Sequence, residues 1–148
     1  VNTILGGYFG SRLMTNIRED KGYTYNIYST IDTMHNNGCF YIGTEVGNEF
    51  VEATKEEIYK EIRLLQTTPV EAQELDMVKN YLLGNLLTML DGPFNIGEVT
   101  KTIITEGLPK QSFTDLVETI KTISPDQIQA LANQYLKPED LWEIVVGE

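Results

Sequence analysis

The chain has 148 residues, enough for one domain that buries about 68 to 70% of its unfolded surface without staples. Eleven basic against twenty-two acidic residues give a net charge of −11, which opposes binding to nucleic acid and to anionic membranes, because phosphate attraction needs clustered Lys and Arg. One cysteine forbids an internal disulfide and leaves the compartment open, and no apolar run approaches the roughly 20 residues that span a bilayer.

In chain order, Phe9, Leu13 and Ile17 recur every fourth residue and predict a short amphipathic helix, with Arg18 just past its apolar stripe. Gly22 supplies the backbone freedom that ends it, and the Tyr-Thr-Tyr-Asn-Ile-Tyr that follows favours a strand opening near Tyr25. The hairpin partner follows Gly38, with His35 at the tip and Cys39 packing as a small hydrophobe. Asn48 is a plausible N-cap for a helix to about Leu65 that buries Val51, Ile58, Ile62 and Leu65 and turns a solvated Glu- and Lys-rich face outward. A second long helix from about Glu71 to Asp91-Gly92-Pro93 carries a broad leucine stripe, a width that implies contact on two sides.

Less regular helices are expected over about 96–105 and 113–122, then a helix opened by Ser124-Pro125-Asp126-Gln127 and stopped by Lys137-Pro138. Leu141 to Val146 reads as a final strand, with Trp142 as a packing residue. The order of elements predicts an α+β domain over 1–148, with helices on one face of a largely antiparallel mixed sheet.

The run Gly6 to Ser29, GGYFGSRLMTNIREDKGYTYNIYS, carries the functional signal. Gly6-Gly7, Ser11 to Leu13, Ile17 to Glu19, Gly22, Tyr25, and Tyr28-Ser29 together resemble the second homologous domain of the pitrilysin or insulinase family of zinc metallopeptidases, which includes mitochondrial processing peptidase. Weaker agreement runs through Pro69-Val70, Glu74-Leu75, Lys79 and Gly84 to Ile144-Val145-Val146-Gly147, so the resemblance covers essentially the whole chain. It implies that Arg18 and Tyr25 reach from this domain into a zinc site on another, where they bind substrate carbonyl groups and help stabilise the tetrahedral intermediate. The chemistry suits them, since a guanidinium is a permanent multi-donor cation and a phenol can donate to an oxygen gaining negative charge. Tyr23 and Tyr28 read as packing residues.

Zinc peptidases of the inverted type need His-x-x-Glu-His and a further acidic ligand, but this chain has one histidine, His35, and one cysteine, Cys39. No metal site is expected in the chain, and it should be inactive alone. Zinc is expected in an N-terminal domain of the same protein or in a partner subunit, with an extended peptide as substrate. The resemblance also implies that a strand and most of a helix, about 50 residues, precede Val1. Without that strand the sheet has an open edge, which predicts self-association or instability. The other class of function is a non-catalytic structural or chaperone-like subunit, because the family includes members that keep the fold without the zinc motif. Retention of both Arg18 and Tyr25 argues against it, and a helix-and-sheet interaction module without peptide chemistry would leave their spacing to chance.

Overall fold

The computed structural model describes residues 1–34 and 37–147, and the expected hairpin tip at His35 lies outside them. The chain divides into two compact units, residues 1–70 with 125–148 and residues 71–124. The class is α+β.

In the first unit, α1 (Asn2–Leu5) runs into a turn and then a seven-residue π-helical turn, Met14–Asp20. Strands β1 (Ile27–Met34) and β2 (Asn37–Thr44) pair antiparallel, with Ile27 opposite Thr44 and Met34 opposite Asn37. A 3₁₀ turn, Asn48–Phe50, leads into α2 (Val51–Thr67). Ile4, Leu5, Leu13, Ile17, Ile27, Ile62 and Leu65 form the buried centre, with Ile128 and Ala132 of α6 (Pro125–Tyr135) packed on α2. Each of the buried leucine and isoleucine side chains contributes about 1.5–3 kcal/mol by leaving water. Gly6 lets β1 come close: a Cβ there would stand 2.6 Å from the Ser29 nitrogen, whose N–H donates to the Gly6 carbonyl at 3.0 Å.

In the second unit, α3 (Ala72–Met89) packs with α4 (Pro93–Thr105) and α5 (Ser112–Thr122). Gly92, at φ +88°, reverses the chain before Pro93 takes the first position of α4, where its missing N–H costs nothing. Leu75 and Val78 of α3 and Ile120 of α5 are buried, while Leu87, Met89 and Leu90 at the far end of the leucine stripe are exposed.

Several expectations need correction. Phe9 is exposed rather than part of the apolar stripe, because Gly6, Gly7 and Gly10 surround it with a turn and regular helical backbone begins only at Arg12. Cys39 is exposed on β2. Tyr25 precedes β1 instead of opening it. Residues 141–147 form no ladder: the described sheet has two strands, and a β-propensive segment without a neighbour has no hydrogen bonds to make it a strand. Trp142 is accordingly 94% exposed. This segment is instead tied to α2 through Glu143, which lies 2.8 Å from the Lys55 ammonium and accepts from the Tyr59 hydroxyl at 2.9 Å. Those two partners lower the Glu143 pKa.

Candidate functional site

Arg18 projects from the π-helical turn, whose wider winding is marked by the Lys21 N–H donating to the Asn16 carbonyl five residues back at 3.1 Å. Such turns are frequent at functional sites. Leu13, Met14 and Ile17 bury one side of the turn and Gly22 ends it at φ +65°, a conformation that a side chain would strain. The guanidinium carbon of Arg18 lies 4.6 Å from the centroid of the Phe9 ring. A cation over the ring is held by the π face, which uses none of the guanidinium's N–H donors as a hydrogen bond to oxygen. The Glu19 carboxylate is 3.8 Å away, beyond hydrogen-bonding distance, and does not claim those donors.

Tyr25 stands 96% exposed on the connection between that turn and β1. Arg18 and Tyr25 line the same cleft, of about 1050 Å³, with Tyr23, Tyr28, Glu19 and Glu45 around them. Tyr23 stacks on Phe50 with centroids 4.7 Å apart, and Tyr28 meets Tyr41 edge to face at 6.0 Å. Gly43 makes room for that arrangement, since a Cβ there would fall 2.8 Å from the Tyr28 hydroxyl. Tyr23 therefore packs, as the sequence predicts, whereas Tyr28 is 41% exposed and packs only on Tyr41; both form cleft wall.

A polar clamp fixes the turn that carries Arg18. The Asn16 amide donates to Glu57 at 2.9 Å and to Glu61 at 2.6 Å, and the ammonium groups of Lys21 and Lys60 lie 3.2 and 3.1 Å from Glu57. This part of α2 is not the solvated charged face expected from sequence: Glu61 is buried and the Glu57 side chain is only 18% exposed. The Asn16 hydrogen bond, followed by those from Lys60 and Lys21, outweighs desolvation and lowers the Glu57 pKa to about 2.

Because that value lies below the unfolded carboxyl value of about 4.3, the unfolded chain binds the extra proton as the medium is acidified. The contribution of Glu57 is complete above about pH 4.5 and is lost as pH falls toward 2, an effect on the order of 2 kcal/mol after solvent screening. Urea unfolding across this window should show the loss in the wild type and a flatter profile in Glu57→Gln. Equal slopes would refute the assignment.

The sequence singles out Arg18 and Tyr25, which line one cleft, but does not mark Phe9 as a shelf, the clamp, or the buried Thr24 next to Tyr25. The clamp did leave a sign. Glu61 occupies the i+3 position of the stripe Ile58, Ile62, Leu65, and an acid on a buried stripe requires a partner. Nothing in the residue pattern marks Thr24.

Among the described residues no group of three or more His, Cys, Asp or Glu side chains could hold a metal ion. Nor is any helix among them long and apolar enough to cross a membrane.

The profile described as Peptidase M16 inactive domain matches residues 1–82. The chain belongs to that family. It is 28% identical over 146 residues to the non-peptidase homolog YmxG of Helicobacter pylori, covering 97% of this chain and 33% of that protein. It is 24% identical over 135 residues to the uncharacterized zinc protease YmxG of Bacillus subtilis, covering 90% of this chain and 33% of the relative. The crystal structure of a peptidase M16 inactive domain from Pseudomonas fluorescens superposes with a TM-score of 0.79 at 28% identity, over 92% of this chain and 32% of that one. The chain thus spans about a third of the length of the curated relatives it matches.

Proposed function

We propose that the chain is the metal-free part of a zinc-dependent metalloendopeptidase, in which Arg18 and Tyr25 grip an extended peptide and stabilise the transition state of its hydrolysis. The observation that carries this reading is the cleft that both side chains line, with the Arg18 guanidinium over the Phe9 ring and 3.8 Å from Glu19, beyond hydrogen-bonding distance. Arg18 binds a substrate carbonyl oxygen and orients the peptide. Arg18 and the Tyr25 phenol both donate to the oxygen that becomes anionic as the carbonyl carbon turns tetrahedral. The zinc belongs to an N-terminal domain or a separate subunit that faces the cleft, and the chain alone does not hydrolyse peptides. The test is peptide hydrolysis by the complete assembly carrying Arg18→Ala or Tyr25→Phe, with zinc content measured alongside; wild-type rates in both would refute the reading.

A second reading is a non-catalytic structural or chaperone-like subunit that pairs with a zinc-bearing partner, favoured by the name of the Helicobacter relative as a non-peptidase homolog. The same substitutions separate the two, because a structural subunit would lose assembly rather than turnover. Self-association through the open edge of the β1–β2 hairpin is a further proposal, supported by a sheet of only two strands among the described residues. A monodisperse monomer by light scattering over a wide concentration range would exclude it.

A further inference from the structure

We infer that Thr24 is the positioning residue of Tyr25, its buried hydroxyl locking the backbone on both sides of the tyrosine and tying it to the end of β2. The inference takes its catalytic meaning from the role proposed for Tyr25. Its structural content stands separately.

Tyr25 presents a problem of placement. Its ring is 96% exposed, so packing does not hold it, and residues 21–26 belong to neither helix nor ladder. A phenol that must meet one oxygen needs its Cα–Cβ bond fixed by the backbone, since misplacement by about 1 Å can cost 10²-fold in rate. The last rung of the hairpin, Ile27 opposite Thr44, lies two residues further on.

Thr24 bridges that gap. Its Oγ1 accepts the Asn26 N–H at 3.2 Å, closing a side-chain-to-backbone turn with Tyr25 at its centre. The hydroxyl proton goes to the Glu45 carbonyl at 2.6 Å, the shorter of two acceptors in reach, the other being the Asn26 carbonyl at 3.0 Å. Thr44 adds its own hydroxyl, 3.1 Å from Thr24 Oγ1 and 3.0 Å from the Asn26 carbonyl. Of the one donor and two acceptor sites of the Thr24 hydroxyl, the donor goes to Glu45 and one acceptor takes the Asn26 N–H, while the single Thr44 proton serves either the second acceptor or the Asn26 carbonyl. The two strands are thus held together beyond their last backbone rung by side chains. Thr24 itself is only 9% exposed, so water does not readily substitute for these bonds.

Thr24→Val keeps the shape and removes the hydroxyl; Thr24→Ser keeps the hydroxyl and removes the methyl. Amide order parameters measured by nitrogen-15 relaxation on this chain should fall at Tyr25 and Asn26 from about 0.85 to below about 0.6 in Thr24→Val, and stay high in Thr24→Ser. In the complete assembly Thr24→Val should lower kcat for peptide hydrolysis about ten- to hundredfold, with a smaller change in KM, and Thr24→Ser should restore it. Unchanged order at Tyr25 in Thr24→Val overturns the inference. So does wild-type turnover of Thr24→Val where Tyr25→Phe is slow. If Tyr25→Phe is itself as fast as wild type, the catalytic reading of Tyr25 falls instead, and the order parameters alone decide the role of Thr24.

Discussion

Replacing Arg18 by alanine is expected to slow peptide hydrolysis by the complete, zinc-loaded assembly about 10²- to 10³-fold while zinc content stays constant, the usual consequence of deleting one donor to a developing oxyanion. The size follows from what the side chain does before substrate arrives. Phe9 holds the guanidinium 4.6 Å from its ring centroid, and the clamped π-helical turn fixes the backbone beneath it. Donors held in place need no reorganisation in the transition state. Lysine should rescue poorly, because an ammonium keeps the charge but loses both the planar fork and the stack on Phe9. Tyr25→Phe should also slow turnover, since it removes one hydroxyl and leaves the ring. Steady-state kinetics on a fluorogenic peptide, with zinc assayed in every variant, provide the check. A variant that loses zinc together with activity would point to disrupted assembly instead.

Local signals explain which parts of this molecule could be read from its residues. The hairpin and the long helices are written in periodicity and turn chemistry, although a 3₁₀ turn puts Phe50 rather than Asn48 at the N-cap of α2, and Gly22 ends the turn after Arg18 for the reason its position suggests. Arg18 and Tyr25 stand out through the family motif around them, and the structure shows that both line one cleft. The failures have a common cause. Phe9 fits a four-residue spacing, yet spacing alone does not register that three glycines unwind the backbone around it. Residues 141–146 have strand composition, but a strand is a relation between two segments and no described neighbour pairs with them. Cys39 and Trp142 were assigned to packing by residue type, whereas burial depends on what faces a side chain. Thr24 and Asn16 act through partners 21 and 45 residues away, which no local window contains.

The clamp around Asn16 connects stability to the site, and Asn16→Leu should expose that connection by destabilising the chain by about 2–4 kcal/mol. The amide of Asn16 is the partner of the buried Glu61 carboxylate and the main cause of the low Glu57 pKa. Leucine has similar bulk but no donor, so Glu61 would keep its desolvation cost without compensation, while Glu57 would still have Lys21 and Lys60. The sign of the second step separates a lost hydrogen bond from poor packing. If the stranded acid causes the loss, Asn16→Leu with Glu61→Leu should recover about 1–2 kcal/mol, because removing both partners of a buried pair costs less than removing one. If leucine at position 16 simply fits badly, the double variant should be no more stable than the single one. Urea denaturation midpoints for the wild type, both single variants and the double variant decide between these outcomes, and a single variant within about 0.5 kcal/mol of wild type would mean that the clamp does not hold the Arg18 turn.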